Sequence, residues 1–124
     1  MVIHESAEDY LESILILQEQ CGQVHSIDIV NKLGYSKPSV SIAMKKLREN
    51  GYITMVPDGA ITLNDSGMEI ASRIYSRHKT ITRLFQYLGV SAEQAAIDAC
   101  KAEHDLSQET FDRICEFVER TENA

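Results

Sequence analysis

The sequence predicts a mainly α protein in which a winged helix-turn-helix domain is followed by a second, α-helical domain. Three features predict this architecture. Two short helix patterns separated by a three-residue turn come early in the chain, a β-hairpin pattern follows them, and apolar residues with helical spacing occupy the rest. We place the two domains at residues 1–63 and 64–124.

The first two helices are predicted from their end residues. Ser6 is expected to begin the first helix, because Ser6 and Asp9 have the spacing of a capping box, and the helix is expected to end near Cys21. The second helix is short, with Ser26 as its expected cap and Gly34 as its end.

The third helix follows the turn at residues 34–36. Lys37 and Pro38 occupy its first turn, where proline costs no hydrogen bond, and Asn50 and Gly51 are suited to end it. Its apolar face is predicted to consist of Val40, Met44 and Leu47. Two short apolar runs then flank residues 57–59, whose Pro-Asp-Gly sequence predicts the turn of a β-hairpin.

The second domain carries three helix patterns. A long helix is predicted to run to Leu88, with Gly89 as its stop. Ser91 is expected to cap a second helix that extends to His104 or Leu106, and a last helix follows it. The inner stripe of the long helix is predicted to contain Ala71, Ile74, His78, Ile81, Phe85 and Leu88.

The net charge of -7 is unevenly distributed. Residues 32–83 contain nine Lys and Arg residues and four acids, whereas residues 1–31 contain six acids and no Lys or Arg. Residues 84–124 contain nine acids and three bases. Because a polyanion is attracted to local positive charge, the middle segment is the predicted contact surface for DNA.

The third helix supplies side chains suited to DNA contact on the faces left by its apolar residues. Lysine and arginine neutralise phosphates, and small hydroxyl side chains at a helix start can approach phosphates or base edges. The predicted contacts with double-stranded DNA come from Ser36, Lys37, Pro38, Ser39, Ser41, Ile42, Lys45, Lys46 and Arg48. The alternative is a solvated cationic face without a nucleic-acid partner.

Potential metal ligands are concentrated in the second domain. Cys100, Glu103 and His104 are spaced so that one helix face presents a thiolate, a carboxylate and an imidazole. A histidine of the long helix and two carboxylates of the first helix add further donors. The predicted ligands are Asp9, Glu12, His78, Cys100, Glu103 and His104. This mixture of nitrogen, oxygen and sulfur fits a divalent first-row transition metal better than Ca²⁺ or Mg²⁺.

Simpler explanations exist for the same residues. Asp9 can act as a capping acid, Glu12 as a solvated acid, His78 as a core histidine, and Cys100 as a small buried apolar residue. Cys100 and His104 can also form a nucleophilic pair, but no oxyanion donors or substrate pocket are evident, and we do not expect an enzyme. The cysteines expected only to pack are Cys21 and Cys115.

The chain shows no pattern of export or membrane insertion. No apolar run approaches the roughly 20 residues that span a bilayer, and the N-terminus lacks a signal-peptide pattern. Three cysteines are an odd number without paired spacing, which favours reduced thiols over disulfides. We therefore expect a cytoplasmic protein without a membrane partner.

Four short segments of the chain, in this order along the sequence, match the motifs of a known protein family. They are S-A-E-D-Y-L-E at 6–12, L-x-x-S-x-P-S-V-S at 33–41, R-H at 77–78 and C-K-A-E-H-D-L-S at 100–107. Together they resemble the diphtheria-toxin-repressor family of metal-dependent regulators (DtxR/MntR), over about residues 6 to 120. The resemblance implies a winged helix-turn-helix domain followed by an α-helical metal-binding and dimerisation domain. It also implies a homodimer that represses metal-uptake genes from a pseudo-palindromic operator, in the short form without an SH3-like domain.

The chain resembles two branches of that family, and it matches each of them only in part. The manganese branch has aspartate at the position of Asp9 but glutamate at that of Cys100, whereas the iron branch has this cysteine and a methionine at the position of Asp9. A second site of the iron branch needs a glutamate and a histidine where this chain has Thr82 and Ala96. Because a thiolate favours Fe²⁺ over Mn²⁺, we favour Fe²⁺ over Mn²⁺, with Zn²⁺, Co²⁺ or Ni²⁺ able to substitute.

Ligands from the first helix and from later helices suggest how an ion can control DNA binding. An ion that ties the two domains restricts the separation of two recognition helices, which must reach successive major grooves about 34–36 Å apart. Two alternatives stay open. One is a metal-independent winged-helix regulator that senses a small organic ligand, and the other is a metalloenzyme or metal-storage bundle whose basic helix is incidental.

Overall fold

Helices dominate the computed structural model, which describes residues 5–124. Over this range the chain forms six helices and one two-stranded antiparallel sheet, so the predicted mainly α class is confirmed. The helices are α1 Glu5–Cys21, α2 Ser26–Leu33, α3 Lys37–Glu49, α4 Asp65–Tyr87, α5 Ala92–Ala102 and α6 Gln108–Glu122. The strands are β1 Ile53–Met55 and β2 Ile61–Leu63.

The chain divides into two compact units. The first unit extends to Arg73, and the second comprises Ile74–Ala124. The division falls inside α4, so the first unit contains α1 to α3, the hairpin and the start of α4. The second unit contains the rest of α4 together with α5 and α6.

Apolar residues three and four apart on the helices form the core of the first unit. Leu11 and Ile14 of α1 are fully buried. The predicted apolar face of α3 is confirmed, because Val40, Met44 and Leu47 are each at most 1% exposed. Burial of such side chains contributes about 1.5–3 kcal/mol each, which orients α3 with its polar side chains outward.

The turn between α2 and α3 forms where the sequence predicts it. Gly34 has a left-handed φ of 74°, and its N–H donates to the carbonyl of Val30 at 2.9 Å. Ser36 caps α3, since its hydroxyl oxygen accepts a hydrogen bond from the N–H of Ser39 at 3.2 Å. Pro38 lies in the first turn, where its missing N–H has no helical partner to lose.

Two predicted caps are wrong. Ser26 is the first residue of α2, and His25 is the cap, because its backbone N–H donates to the Asp28 carboxylate at 2.9 Å. A carboxylate three residues after His25 places the helix start one residue earlier than the serine suggests. Ser6 lies inside α1, which includes Glu5.

The predicted β-hairpin is confirmed. β1 and β2 pair with Thr54 opposite Thr62, and Gly59 in the connecting turn has a left-handed φ of 90°. The Asp58 carboxylate accepts a hydrogen bond from the N–H of Ala60 at 2.9 Å, which stabilises the turn. The N–H of Ile61 donates to the carbonyl of Val24 at 2.7 Å and so joins the hairpin to the segment between α1 and α2.

The second unit is built around a small apolar cluster. Ile81 of α4, Ala99 of α5 and Phe111 of α6 are buried together. Ser91 caps α5 as predicted, because its hydroxyl oxygen accepts a hydrogen bond from the N–H of Gln94 at 3.3 Å. Among residues 5–124, no helix combines the length and apolar character needed to cross a membrane.

Two expectations for the second unit are wrong. Leu88 is 68% exposed and does not belong to the inner stripe, because α4 ends at Tyr87 and Gly89 turns the chain with a φ of 100°. α5 ends at Ala102 and does not reach His104. This early end decides how the candidate ligands are presented.

Candidate metal centre and DNA-binding helix

α3 separates its core side chains from a cationic surface. All nine side chains predicted to contact DNA are exposed, whereas the three apolar ones are buried. Ile42 is 58% exposed, which leaves an apolar group among the polar ones on the outer surface. The Ser36 hydroxyl donates to the Ser39 hydroxyl oxygen at 2.8 Å at the start of the helix. The exposure of these side chains is compatible with DNA contact. The contact of each individual residue with DNA stays a prediction.

The positive charge of the first unit lies on α2 and α3, apart from Arg73 of α4, which pairs with the Glu8 carboxylate at 3.0 Å. Residues 49–72, which include the whole hairpin, contain no Lys or Arg. The charges available to DNA phosphates therefore come mainly from Lys37, Lys45, Lys46 and Arg48 of α3.

Three candidate ligands from α4 and the end of α5 lie together in the second unit. His78 Nδ1 lies 2.9 Å from Glu103 Oε2 and 3.7 Å from Cys100 Sγ. One donor atom from each of these side chains lies within 4.8 Å of the other two. Cys100 is exposed, so it is not the small buried residue of the simpler explanation, and the imidazole beside it belongs to His78.

Glu103 occupies the residue position immediately after α5. It is fully buried, and its two carboxylate oxygens face different imidazoles. Oε2 bonds to His78, while Oε1 lies 3.5 Å from Nε2 of His104. His104 follows the helix end and is not part of the helical face that its spacing suggested.

The electrostatics of the cluster favour a protonated His78 in the metal-free protein. Its hydrogen bonds with Cys100 and then with Glu103 raise the pKa of His78 to about 10, although burial acts in the opposite direction. A buried carboxylate is costly unless positive charge compensates it, and the imidazolium supplies that charge.

The cluster of His78, Cys100 and Glu103 also fits a metal cation, because a thiolate, an imidazole and a carboxylate form a donor set typical of divalent first-row transition metals. Oε1 of Glu103 is buried and accepts no hydrogen bond from the residues that the structure describes. These three side chains can therefore hold such an ion, and His104 lies beside Oε1, the carboxylate oxygen of Glu103 that does not bond to His78.

The two remaining candidate ligands lie on α1 in the first unit. Asp9 is half-buried and Glu12 is 5% exposed, so Glu12 is not a solvated surface acid. Asp9 lies beyond the first turn of α1, which does not fit the role of a capping acid. Their spacing places both carboxylates on one face of the helix.

Of the cysteines expected only to pack, the structure supports one. Cys115 packs against the apolar cluster of the second unit, and burial raises the pKa of its thiol. Cys21 is exposed at the end of α1, so its predicted packing role is wrong.

Comparison with known proteins relates both parts of the chain to one family. A model described as the N-terminal DNA binding domain of iron dependent repressors matches residues 3–61. A model described as their metal binding and dimerisation domain matches residues 64–124. The transcriptional regulator MntR of Salmonella typhimurium is 34% identical over 94% of this chain and 74% of its own length. The chain belongs to the DtxR/MntR family.

Other members of the family support this assignment. An uncharacterised HTH-type transcriptional regulator of Methanocaldococcus jannaschii is 36% identical over 94% of both chains. A manganese-dependent transcriptional repressor in complex with manganese has a TM-score of 0.83 and 30% identity over 91% of this chain. The chain spans about half of that structure's length, 52%. The predictions of the fold, the family and metal-dependent transcriptional regulation are confirmed.

Arg77 belongs to the R-H segment of the sequence, but no role in the site was predicted for it. Arg77 is 4% exposed and hydrogen-bonds to the segment that carries Glu103. Its distance of three residues from Ile74 and four from Ile81 places it on the inner face of α4. That spacing could have identified it, but a charged residue is not expected in an apolar stripe.

The hydrogen bonds of His78 predict a pH dependence of the metal-free protein. The pKa is about 10 in the folded state against 6.5 for the free side chain, so the stabilisation is complete below pH 6.5 and is lost as pH rises through 10. The wild type should therefore lose free energy of unfolding relative to His78→Gln as the pH rises through this range. Urea denaturation of both proteins with a chelator present measures the difference. Parallel pH profiles would contradict a charged His78.

Proposed function

We propose that this family member is a homodimeric repressor of metal-uptake genes that binds a pseudo-palindromic operator in double-stranded DNA. In this proposal residues 1–63 form the DNA-binding domain and residues 64–124 the metal-binding and dimerisation domain. The observation that supports it most directly is the buried Glu103 carboxylate, which faces two imidazoles and lies close to a thiol. Such a group needs compensating positive charge, and a metal cation provides it.

The proposed ligand set combines two parts of the chain. His78, Cys100 and Glu103 are supported by their mutual distances in the second unit, and His104 by its distance from Glu103. Asp9 and Glu12 are supported by the family resemblance and by their shared face on α1. The complete proposed set is Asp9, Glu12, His78, Cys100, Glu103 and His104.

We propose Fe²⁺ as the preferred ion, with Mn²⁺ as the alternative. The thiolate of Cys100 increases affinity for Fe²⁺, Co²⁺, Ni²⁺ and Zn²⁺ more than for Mn²⁺, which prefers oxygen ligands. Zn²⁺, Co²⁺ or Ni²⁺ can substitute when they are available.

The proposed control of DNA binding depends on ligands from α1 as well as from α4 and α5. When bound, the cation supplies the positive charge that the proton on His78 supplies in its absence. Glu103 orients His78 by its hydrogen bond, and the thiol of Cys100 lies beside the same imidazole. In a dimer the two α3 helices must reach successive major grooves, about 34–36 Å apart. We infer that an ion bound by ligands from both α1 and the later helices restricts the separation of the two α3 helices. This restriction raises the affinity for the operator.

The proposed DNA-contacting surface is the exposed part of α3 and the turn before it. Its lysines and arginine contact phosphates, and its small side chains and Ile42 lie near the bases. The proposed contacts are Ser36, Lys37, Pro38, Ser39, Ser41, Ile42, Lys45, Lys46 and Arg48.

Glu103→Gln tests the metal dependence. The amide keeps the size of the carboxylate but removes its charge, so we expect Co²⁺ affinity to fall by more than about 100-fold, since even outer partners of ligands contribute about 10–100-fold. Operator affinity with metal should fall to that of the metal-free wild type in a fluorescence anisotropy titration. Glu93→Gln, an acid in the first turn of α5, is the matched control and should behave as wild type. Operator binding that responds neither to metal nor to Glu103→Gln would support a metal-independent regulator.

Cys100→Glu tests the choice of ion. Replacing the thiolate by a carboxylate should lower affinity for Co²⁺ and Fe²⁺ relative to Mn²⁺, because Mn²⁺ prefers oxygen. Competition titrations with the three ions under anaerobic conditions measure the ratios. An unchanged ratio of Fe²⁺ to Mn²⁺ affinity would show that Cys100 is not a ligand.

Lys45→Ala tests the phosphate-contacting role of α3. Each lost phosphate contact should lower the slope of log affinity against log salt by about 0.9, and a homodimer loses two such contacts. Affinity should fall for operator and unrelated DNA alike, because phosphate contacts carry no sequence information. Lys101→Ala, an exposed lysine of α5, is the control. Equal salt slopes in Lys45→Ala and the control would exclude the assigned contact.

A further inference from the structure

Arg77 of α4 hydrogen-bonds repeatedly to the segment between α5 and α6. Its Nη1 donates to the carbonyl oxygens of Glu103 at 3.2 Å and Leu106 at 2.8 Å. Its Nη2 donates to Oε1 of Gln108 at 3.2 Å, and the guanidinium lies 5.1 Å from the centre of the Phe111 ring. One buried side chain therefore contacts both ends of this segment.

The segment needs such a partner because α5 ends before it. Carbonyl groups at a helix end have no partner within the helix and must be satisfied by other groups. Glu103 is the C-cap of α5 and His104 follows it, so the helix provides no partner for their carbonyl groups. Because the guanidinium is a rigid planar fork, it holds two carbonyl oxygens in a defined relation, which a single ammonium does not.

Two consecutive residues of α4 thus form hydrogen bonds to Glu103, one to its backbone and one to its side chain. Arg77 bonds to the backbone carbonyl of Glu103, and His78 bonds to its carboxylate. We propose that Arg77 is a positioning residue, which sets the α5–α6 segment so that Glu103 and His104 present their donor atoms to the ion. This inference rests on the proposed function.

Fold stability alone does not account for this residue. Arg77 is 4% exposed, and it forms no ion pair with any residue in the described part of the chain. A buried charge without an ion-pair partner is costly to the fold, and the negative end of the α5 dipole offsets this cost only in part. An apolar side chain of similar length removes the cost of the buried charge but also removes the donor to the carbonyls of Glu103 and Leu106, so the two effects on stability oppose each other. The geometry of the guanidinium is what the apolar side chain lacks.

Three variants separate positioning from stability. Arg77→Met removes the buried charge while keeping the volume, and Arg77→Lys keeps the charge while losing the fork. Arg83→Met is the matched control, because Arg83 lies on α4 and pairs with the Glu122 carboxylate of α6 at 3.0 Å, away from the ligands. Each protein is titrated anaerobically with Co²⁺ while its visible absorption is recorded, and the metal-free form is unfolded in urea.

We expect metal-free Arg77→Met to unfold at a urea concentration close to that of the wild type, because removal of the buried charge offsets the lost hydrogen bonds. Its Co²⁺ affinity, and that of Arg77→Lys, should fall by about 10–100-fold with an altered absorption spectrum, whereas Arg83→Met should keep the wild-type affinity and spectrum. Wild-type affinity and spectrum in both Arg77 variants would overturn the positioning role and leave the proposed function intact. An equal loss of affinity in Arg83→Met would also overturn it, because general destabilisation would then explain the effect. Failure of the wild type to bind Co²⁺ would overturn both.

Discussion

The buried carboxylate of Glu103 is the constraint on which the second unit depends. A fully buried charge must be compensated within the fold, and each neighbouring feature contributes to that compensation. His78 bonds to one carboxylate oxygen, His104 lies near the other, and Arg77 binds the backbone carbonyl. α5 ends immediately before Glu103, which frees the backbone for these contacts. Oε1 of Glu103 is buried without a hydrogen bond from the described residues, and a cation contributes most there.

In the first unit, core packing and the cationic surface come from different faces of α3, and the hairpin contributes no positive charge. α3 buries three apolar side chains and exposes nine polar, cationic or apolar ones suited to DNA. The hairpin contains no base, and its acid Asp58 accepts a hydrogen bond within the turn. The positive charge that the first unit offers to DNA phosphates therefore resides in its helices. The net negative charge of the whole chain disfavours nonspecific binding of a polyanion.

Most features set by local interactions could be predicted from the sequence, although the cap of α2 was placed one residue too late. Features set by distant residues could not be predicted. The cap at Ser91 and the hairpin turn follow from residues within a few positions of each other. The end of α5 was predicted too late, and the contact there between Arg77 and the carbonyl of Glu103, 26 residues apart, has no local signal in the sequence. Helical spacing suggested the candidate ligands but placed His104 on the face of Cys100. The pairing of both imidazoles with one carboxylate required the packing of α4 against the end of α5.

The most direct test of the account is the coupling between metal and DNA binding in the wild type. Operator affinity is measured by fluorescence anisotropy with saturating Fe²⁺ and with a chelator, and Fe²⁺ affinity is measured with and without operator. The account predicts that Fe²⁺ strengthens operator binding, by a factor within the usual range of about 5–150, and that operator strengthens Fe²⁺ binding by the same factor. Equal operator affinities with and without every candidate ion would contradict it.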